Sequence, residues 1–92
     1  MLNVSEKKDF LMAQVFRAQS LSPKEKLVAL CLAFKLDDQG CSDVRMSELM
    51  ELTGMSRKTA YLSIQGLKGK IQLDVIKRGR ANHYLFPQWK MF

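Results

Sequence analysis

Residues 46–68 read MSELMELTGMSRKTAYLSIQGLK, and this stretch decides the fold that the sequence predicts. Its pattern indicates two short helices joined by a tight turn. Ser47 is predicted to cap the first helix and Ser56 the second, because a serine hydroxyl accepts a hydrogen bond from a backbone N–H group that the first helical turn leaves unpaired. Gly54 is expected just after the first helix, since a left-handed backbone costs least where there is no side chain.

The second predicted helix has two different faces. Its apolar residues follow helical spacing and predict one buried stripe, at Met55, Ala60, Ile64 and Leu67. The other face carries basic, aromatic and amide side chains, namely Arg57, Lys58, Tyr61, Gln65 and Lys68. A helix that opens after a glycine turn and exposes such groups is typical of a DNA recognition helix.

Length and composition indicate a single small globular domain. The chain has 92 residues, of which 47% are apolar, and this fraction is ordinary for a folded domain. The sequence contains no apolar run of membrane-spanning length and no signal-peptide core near its start. Cys31 and Cys41 form no CxxC pair and His83 is the single histidine, so we expect no disulfide framework, no metal site and a cytoplasmic protein.

The net charge of +6 is distributed unevenly along the chain. Residues 1–55 contain seven Lys or Arg and eight Asp or Glu, a net charge of −1, whereas residues 56–92 contain eight and one, a net charge of +7. The basic excess therefore begins where the second helix of the motif begins. This coincidence favours a polyanionic partner over the alternative of a generic basic surface.

Two helices are predicted ahead of the motif. Ser5 is expected to cap a first helix that ends near Gln19. Ser22 is the predicted cap of the second helix, with Pro23 in the first helical position and Glu25 completing a capping box. The second helix is mostly apolar and is expected to be the central helix of the core.

The predicted elements around and after the motif are strands. A short strand is expected over residues 41–46, and Gly69 is expected to stop the second helix of the motif. Alternating apolar residues predict a hairpin with strands over residues 71–76 and 82–86. The turn between these strands carries three cations, Lys77, Arg78 and Arg80.

This order of elements resembles the winged helix-turn-helix domains of phage and plasmid replication initiators and of small bacterial regulators. The resemblance covers residues 21–86 and is carried by LSPKEKLVAL, the acidic DDQG turn, the GMSRKT step and the hairpin DVIKRGRANHYLF. It implies an α+β fold with a three-helix core, a short strand and a C-terminal β-hairpin wing. Residues 1–20 would add an N-terminal helix for packing or dimerisation, and residues 87–92 an apolar tail.

The resemblance implies sequence-specific binding of double-stranded DNA by a small transcriptional regulator or a replication-linked protein. The predicted DNA contacts are Ser47, Ser56, Arg57, Lys58, Thr59, Tyr61, Gln65, Lys68, Lys77, Arg78 and Arg80. In this hypothesis Arg57 suits guanine and Gln65 suits adenine in the major groove, and the wing cations suit phosphates or a narrow minor groove. Two alternatives stay open, in which Tyr61 packs against the wing and Thr59 serves only as part of a helix cap.

A different class of function, protein–protein interaction, is the competing hypothesis. Its working surface, which would also serve a homodimer, comprises Phe10, Val15, Phe16, Trp89 and Phe92, because aromatic side chains are favoured interface anchors. The simpler alternative is that the N-terminal helix packs across the domain and the tail completes the core. The sequence contains no catalytic motif, so we predict no enzyme activity, no cofactor, no small-molecule ligand and no membrane partner.

Overall fold

The computed structural model of the protein describes residues 2–79 and 81–91. Four α-helices are present in this part of the chain: α1 (Val4–Arg17), α2 (Pro23–Phe34), α3 (Met46–Thr53) and α4 (Arg57–Lys70). The structure also contains three strands. The first, β1 (Cys41–Ser42), lies between α2 and α3, whereas β2 (Asp74–Arg78) and β3 (Ala81–Leu85) come after α4 and are followed by a 3-10 helix, Pro87–Met91. The predicted α+β class is confirmed, and the arrangement is compatible with a winged-helix-like fold.

The three strands form one antiparallel sheet in the order β1-β3-β2. In the hairpin, Val75 lies opposite Tyr84 and Lys77 lies opposite Asn82. Because alternate residues of a strand point to opposite faces, these four side chains share one face of the hairpin and His83 belongs to the other. This register decides which hairpin residues can meet α4.

Two predicted helix starts are confirmed. The Ser22 hydroxyl accepts a hydrogen bond from the Glu25 N–H at 3.2 Å, and the Glu25 carboxylate accepts one from the Ser22 N–H at 2.8 Å, with Pro23 beginning α2. At the start of α4, the Ser56 hydroxyl accepts a hydrogen bond from the Thr59 N–H at 3.2 Å. Both caps involve residues only three positions apart, so they form within one helical turn.

Two other predicted caps are wrong. α3 begins at Met46 and is preceded by Arg45, whose side chain makes no capping hydrogen bond, so Ser47 lies inside the helix. α1 is capped by Asn3 rather than Ser5, since the Asn3 amide oxygen accepts a hydrogen bond from the first turn at 2.8 Å. In both cases the helix begins earlier than the most obvious serine.

Three predicted boundaries also differ from the structure. α1 ends at Arg17 instead of near Gln19. Of the strand predicted over residues 41–46, only the two residues of β1 are extended in the sheet, and the last residue of this range already belongs to α3. Gly69 does not stop α4, which continues to Lys70.

The first strand of the hairpin begins three residues later than predicted. The alternation over residues 71–76 predicted a strand from its start, but β2 begins at Asp74. Gln72 has a φ of 57°, and a left-handed residue cannot continue an extended ladder. The alternating apolar residues over 71–76 therefore lie partly in a turn that precedes Asp74 and partly in β2.

The core is centred on α2, which packs against α1, α3 and α4. Val28, Ala29 and Leu32 of this helix are fully buried. The predicted stripe on α4 is confirmed at three of its positions, Ala60, Ile64 and Leu67, which are buried, whereas Met55 is half-buried. No helix within residues 2–79 and 81–91 is long and apolar enough to cross a membrane.

The C-terminal 3-10 helix completes the core. Trp89 is 3% exposed, and its indole N–H donates a hydrogen bond to the Asp38 carbonyl at 3.2 Å. The Lys7 ammonium lies 5.3 Å from the centre of the indole ring, on the α1 side, within the range of a cation–π contact. Gly40 has a φ of +79°, and a Cβ there would overlap the indole.

The predicted partner surface is therefore wrong at two of its residues. Trp89 and Val15 are buried in the core of this chain, at 3% and 4% exposure, so neither can anchor a second protein. Phe10 and Phe16 are 52% and 62% exposed. Phe92 lies outside the described residues.

Candidate nucleic-acid interface

A groove lies between α4 and the β2–β3 hairpin. It consists of two concave regions that share Met46, Asn82 and Tyr84 in their linings. The first, of about 560 Å³, is completed by Val44, Arg45, Ser47 and Arg57 and is called the arginine pocket here. The second, of about 290 Å³, is completed by Tyr61, Ile64, Gln65, Lys68, Val75 and Lys77 and is called the lysine cleft.

The side chains on the α4 wall of the groove follow from the way this helix begins. The Ser56 cap starts the helix at Arg57, and helical spacing then places Tyr61, Gln65 and Lys68 on the same side. The buried stripe of α4 faces the core, so these polar side chains point away from it. Tyr61 is 54% exposed and therefore available to a ligand.

The hairpin wall of the groove is set by strand register. Lys77 and Asn82 are cross-strand partners and both line the groove. Tyr84, one alternate position further along β3, is 2% exposed and lies at the floor. Burial raises the pKa of the Tyr84 phenol, which a hydrogen bond with the Asn82 side chain partly opposes, so the phenol is neutral at physiological pH.

The groove has a consistent electrostatic sign. Four cations line it, namely Arg45, Arg57, Lys68 and Lys77, and none of the described residues in its lining is acidic. The two salt bridges found within residues 2–79 and 81–91 are Lys35–Glu48 and Lys70–Glu25, and neither involves a groove cation. The positive charge of the groove is therefore not neutralised by ion pairs in this part of the chain, and it favours an anionic ligand.

Several predicted contact residues are brought together in the groove. The structure places Ser47, Arg57, Tyr61, Gln65, Lys68 and Lys77 in its lining. They come from α3, α4 and β2, which are separated by turns in the sequence. The predicted face of α4 is thus continuous with one face of the hairpin.

Two predicted hydroxyl contacts have a different environment. The Ser56 hydroxyl caps α4 and also donates a hydrogen bond to the Thr59 hydroxyl at 3.0 Å. Thr59 is half-buried and lines a shallow depression together with Ser22 and Glu25 of the α2 start. Neither hydroxyl lines the groove, which favours the capping alternative for Thr59. Lys58 is exposed but is also outside the groove lining.

The predicted wing cations do not all lie on the groove side. Strand alternation puts Lys77 on the groove face and Arg78 on the opposite face of β2. Burial raises the pKa of the Cys41 thiol, Asp37 adds to this rise and Arg78 opposes it, which agrees with Arg78 lying on the Cys41 side. The Cys41 sulfur is 3.8 Å from His83 Nδ1 on that same side. Arg80 lies outside the described residues.

Two groove residues, Arg45 and Asn82, were missed by the sequence analysis. Arg45 fell within a predicted strand and has no motif of its own. Asn82 fell within the second predicted strand of the hairpin. Because it lies two residues before the buried Tyr84, it is on the same face of the strand as Tyr84. The alternation around Tyr84 was the signal that could have found Asn82.

Comparison with protein-family models, with curated proteins and with solved structures gives no match to this chain. Within the described residues, no cluster of three or more His, Cys, Asp or Glu side chains could hold a metal ion. The functional interpretation therefore depends on the shape and charge of the groove.

Proposed function

We propose that this protein binds double-stranded DNA sequence-specifically as a winged helix-turn-helix protein, with α4 as the recognition helix and the β2–β3 hairpin as the wing. One observation carries the proposal: cationic and hydrogen-bonding side chains of α4 and the hairpin line a single groove with no acidic residue in its described lining. The proposed role is that of a transcriptional regulator or a replication-linked protein that acts by occupying its site on DNA.

α4 has dimensions that suit the major groove. A helix with its side chains is about 10–12 Å wide, and the major groove of B-DNA is about 12 Å wide. Arg57 and Gln65 are separated by eight residues, or about 12 Å along the helix axis, which corresponds to roughly three to four base-pair steps. The α4 face can therefore contact several successive base pairs.

The side chains of this face have distinct roles in the proposal. Arg57 at the start of α4 offers two parallel N–H donors to guanine, and Gln65 offers the amide donor and acceptor that suit adenine. Tyr61 lies between them and contacts a phosphate or a thymine methyl group. Each good bidentate pair discriminates against a wrong base by about 1–3 kcal/mol.

The hairpin supplies the contact with the phosphate backbone. Lys77 is exposed on the groove face of β2 and has no ion-pair partner within residues 2–79 and 81–91. A lysine that neutralises one phosphate releases counterions, so affinity falls as salt rises. The wing therefore adds affinity for any sequence, and α4 adds preference among sequences.

Selection from a pool of random DNA duplexes tests this function. We expect a preferred sequence whose affinity, measured by fluorescence anisotropy, falls steeply with salt. Gln65→Ala should relax preference at one base position. Gln14→Ala is the matched control, since Gln14 is an exposed glutamine of α1 outside the groove lining, and it should change neither affinity nor preference.

Failure to bind any duplex at low salt would overturn the proposal. Binding with no salt dependence would also contradict it, because the groove offers mainly electrostatic attraction. In either case the competing protein-interaction hypothesis would gain support, with the exposed Phe16 as the side chain to test. Gel filtration of the wild type and of Phe16→Ser would then decide whether this face joins two copies.

A further inference from the structure

The arginine pocket differs in kind from the lysine cleft. Its volume of about 560 Å³ falls within the range of roughly 300–1,000 Å³ that is usual for small-ligand sites. Its floor is formed by Val44, Met46 and Tyr84, of which Val44 and Tyr84 are 2% exposed, so the half-buried Met46 supplies the accessible apolar surface. Its lining is cationic, because it contains Arg45, which precedes α3, and Arg57, which begins α4.

The chemistry of the walls selects an anion with several oxygens. The guanidinium group of arginine presents paired N–H donors that match the oxygens of a phosphate. Arg45 caps no helix and takes part in neither salt bridge found within residues 2–79 and 81–91, so its donors are not used by an acidic partner there. The Ser47 hydroxyl adds a neutral donor at the same pocket, and the Asn82 amide, which carries two N–H donors and also hydrogen-bonds the Tyr84 phenol, adds another.

The apolar floor narrows the class of anion further. An inorganic ion alone would leave the accessible part of the Met46 side chain uncovered. A phosphate ester with an attached sugar would place its charged oxygens at the walls and its carbon atoms on the floor. The pocket thus has the two kinds of surface that a sugar-phosphate unit presents.

We propose that the arginine pocket binds one sugar-phosphate unit of the DNA backbone, with Arg45 as the main phosphate ligand and Asn82 as a neutral donor. Arg57 borders the pocket and adds charge. The site rests on the proposed function and deepens it: a phosphate held between the start of α3 and strand β3 fixes the position of α4 along the duplex without reading sequence.

Methylphosphonate substitution tests the site, because it neutralises one phosphate at a time. In the selected duplex we expect one position at which the substitution weakens wild-type binding about tenfold, as expected for one charge-assisted hydrogen bond. Arg45→Ala should lower the affinity for unmodified DNA by a similar factor. Methylphosphonate substitution at that position should not lower the affinity of this variant any further. Its salt slope should be shallower by about 0.9, whereas Asn82→Ala should weaken binding with an unchanged slope.

Arg78→Ala is the matched control, since it removes the same charge from the opposite face of the hairpin. It should keep the full methylphosphonate effect. An Arg45→Ala protein that unfolds at the wild-type temperature and keeps the wild-type affinity and slope would overturn the site, while the Gln65→Ala result would still test the proposed function separately.

A free nucleotide is the other source of the same chemistry. Titration of the DNA-free protein with thymidine monophosphate, followed by amide NMR, should give shifts at Ser47 and Asn82 only at millimolar concentrations. Micromolar binding that displaces DNA would overturn the backbone assignment. If the wild type binds no duplex, the assignment of the pocket to the DNA backbone fails together with the proposed function. Nucleotide-induced shifts that Arg45→Ala abolishes would then show only that the pocket binds a phosphate ester.

Discussion

The carboxylate of Glu25 on α2 lies against the backbone of Gly66 on α4, in space that a Cβ at residue 66 would occupy. The same carboxylate accepts a hydrogen bond from the Ser22 N–H and pairs with the Lys70 ammonium at 2.8 Å. It therefore caps one helix and joins it to another. Gly66 makes this contact possible, although glycine costs a helix about 1 kcal/mol relative to alanine.

Gly66→Ala should destabilise the protein despite the better helix propensity of alanine. The added methyl group would displace the Glu25 carboxylate from its hydrogen bonds with Ser22 and Lys70, and losing hydrogen bonds to a charged group costs about 1.5–3 kcal/mol. Gly69→Ala is the matched control, because residue 69 lies in the same helix and a Cβ there meets nothing within 4 Å. It should raise the free energy of unfolding by up to about 1 kcal/mol. Urea unfolding of both variants distinguishes the two effects, and a stabilising Gly66→Ala would contradict the contact.

Acid should weaken the protein through Glu25. Burial raises the pKa of this carboxyl group, but the hydrogen bonds and charge of Lys70 and the hydrogen bonds of Ser22 lower it by more, so the folded-state pKa lies below the usual 4.5. Its contribution to stability is complete above that value and is lost as the pH falls through the folded-state pKa. Between pH 7 and pH 3, the wild type should lose more unfolding free energy than Glu25→Gln. Equal losses would show that this carboxylate does not couple folding to pH.

The Ser56 hydroxyl that caps α4 should contribute more to the free energy of unfolding than Ser47, which the sequence pattern predicts as the cap of α3. Ser56→Ala removes the hydroxyl that accepts the Thr59 N–H and should cost about 1 kcal/mol. Ser47→Ala should stay within about 0.5 kcal/mol, because Ser47 is exposed and caps nothing. Thermal unfolding of the two variants provides the comparison. A larger loss for Ser47→Ala would refute the position of the α3 start.

The two adjacent cations of β2 should contribute unequally to DNA binding. Lys77 lines the groove and Arg78 lies on the other face of the hairpin. Lys77→Ala should weaken all sequences similarly and make the salt slope shallower by about 0.9, and Arg78→Ala should have the smaller effect. Anisotropy titrations at several salt concentrations measure both quantities. The reverse order would mean that the outer face of the hairpin approaches DNA.

Local features were predictable because their partners lie close in the sequence. The Ser22 capping box and the Ser56 cap each join residues three positions apart. Gly54 has a φ of +72° at the end of α3, as its position after the helix predicted. The polar face of α4 followed from helical spacing alone.

Long-range features were not predictable in the same way. The sequence gives no sign that Gly66 accommodates the side chain of Glu25, 41 positions earlier. The apolar composition of the tail is compatible both with a contact to a partner and with packing in the core. Trp89 lies against Gly40, so this part of the tail packs in the core. Which neighbour covers a side chain depends on how the helices pack.

The sequence alone determined the helices around the Gly54 turn, the α+β class and the basic character of the C-terminal part, because these depend on spacing and composition. Only the tertiary structure decided that Arg45 and Asn82 share a pocket and that Arg78 faces away from it. A pocket formed by three separate elements depends on strand register and helix packing, and both are set by contacts between residues that are distant in the chain.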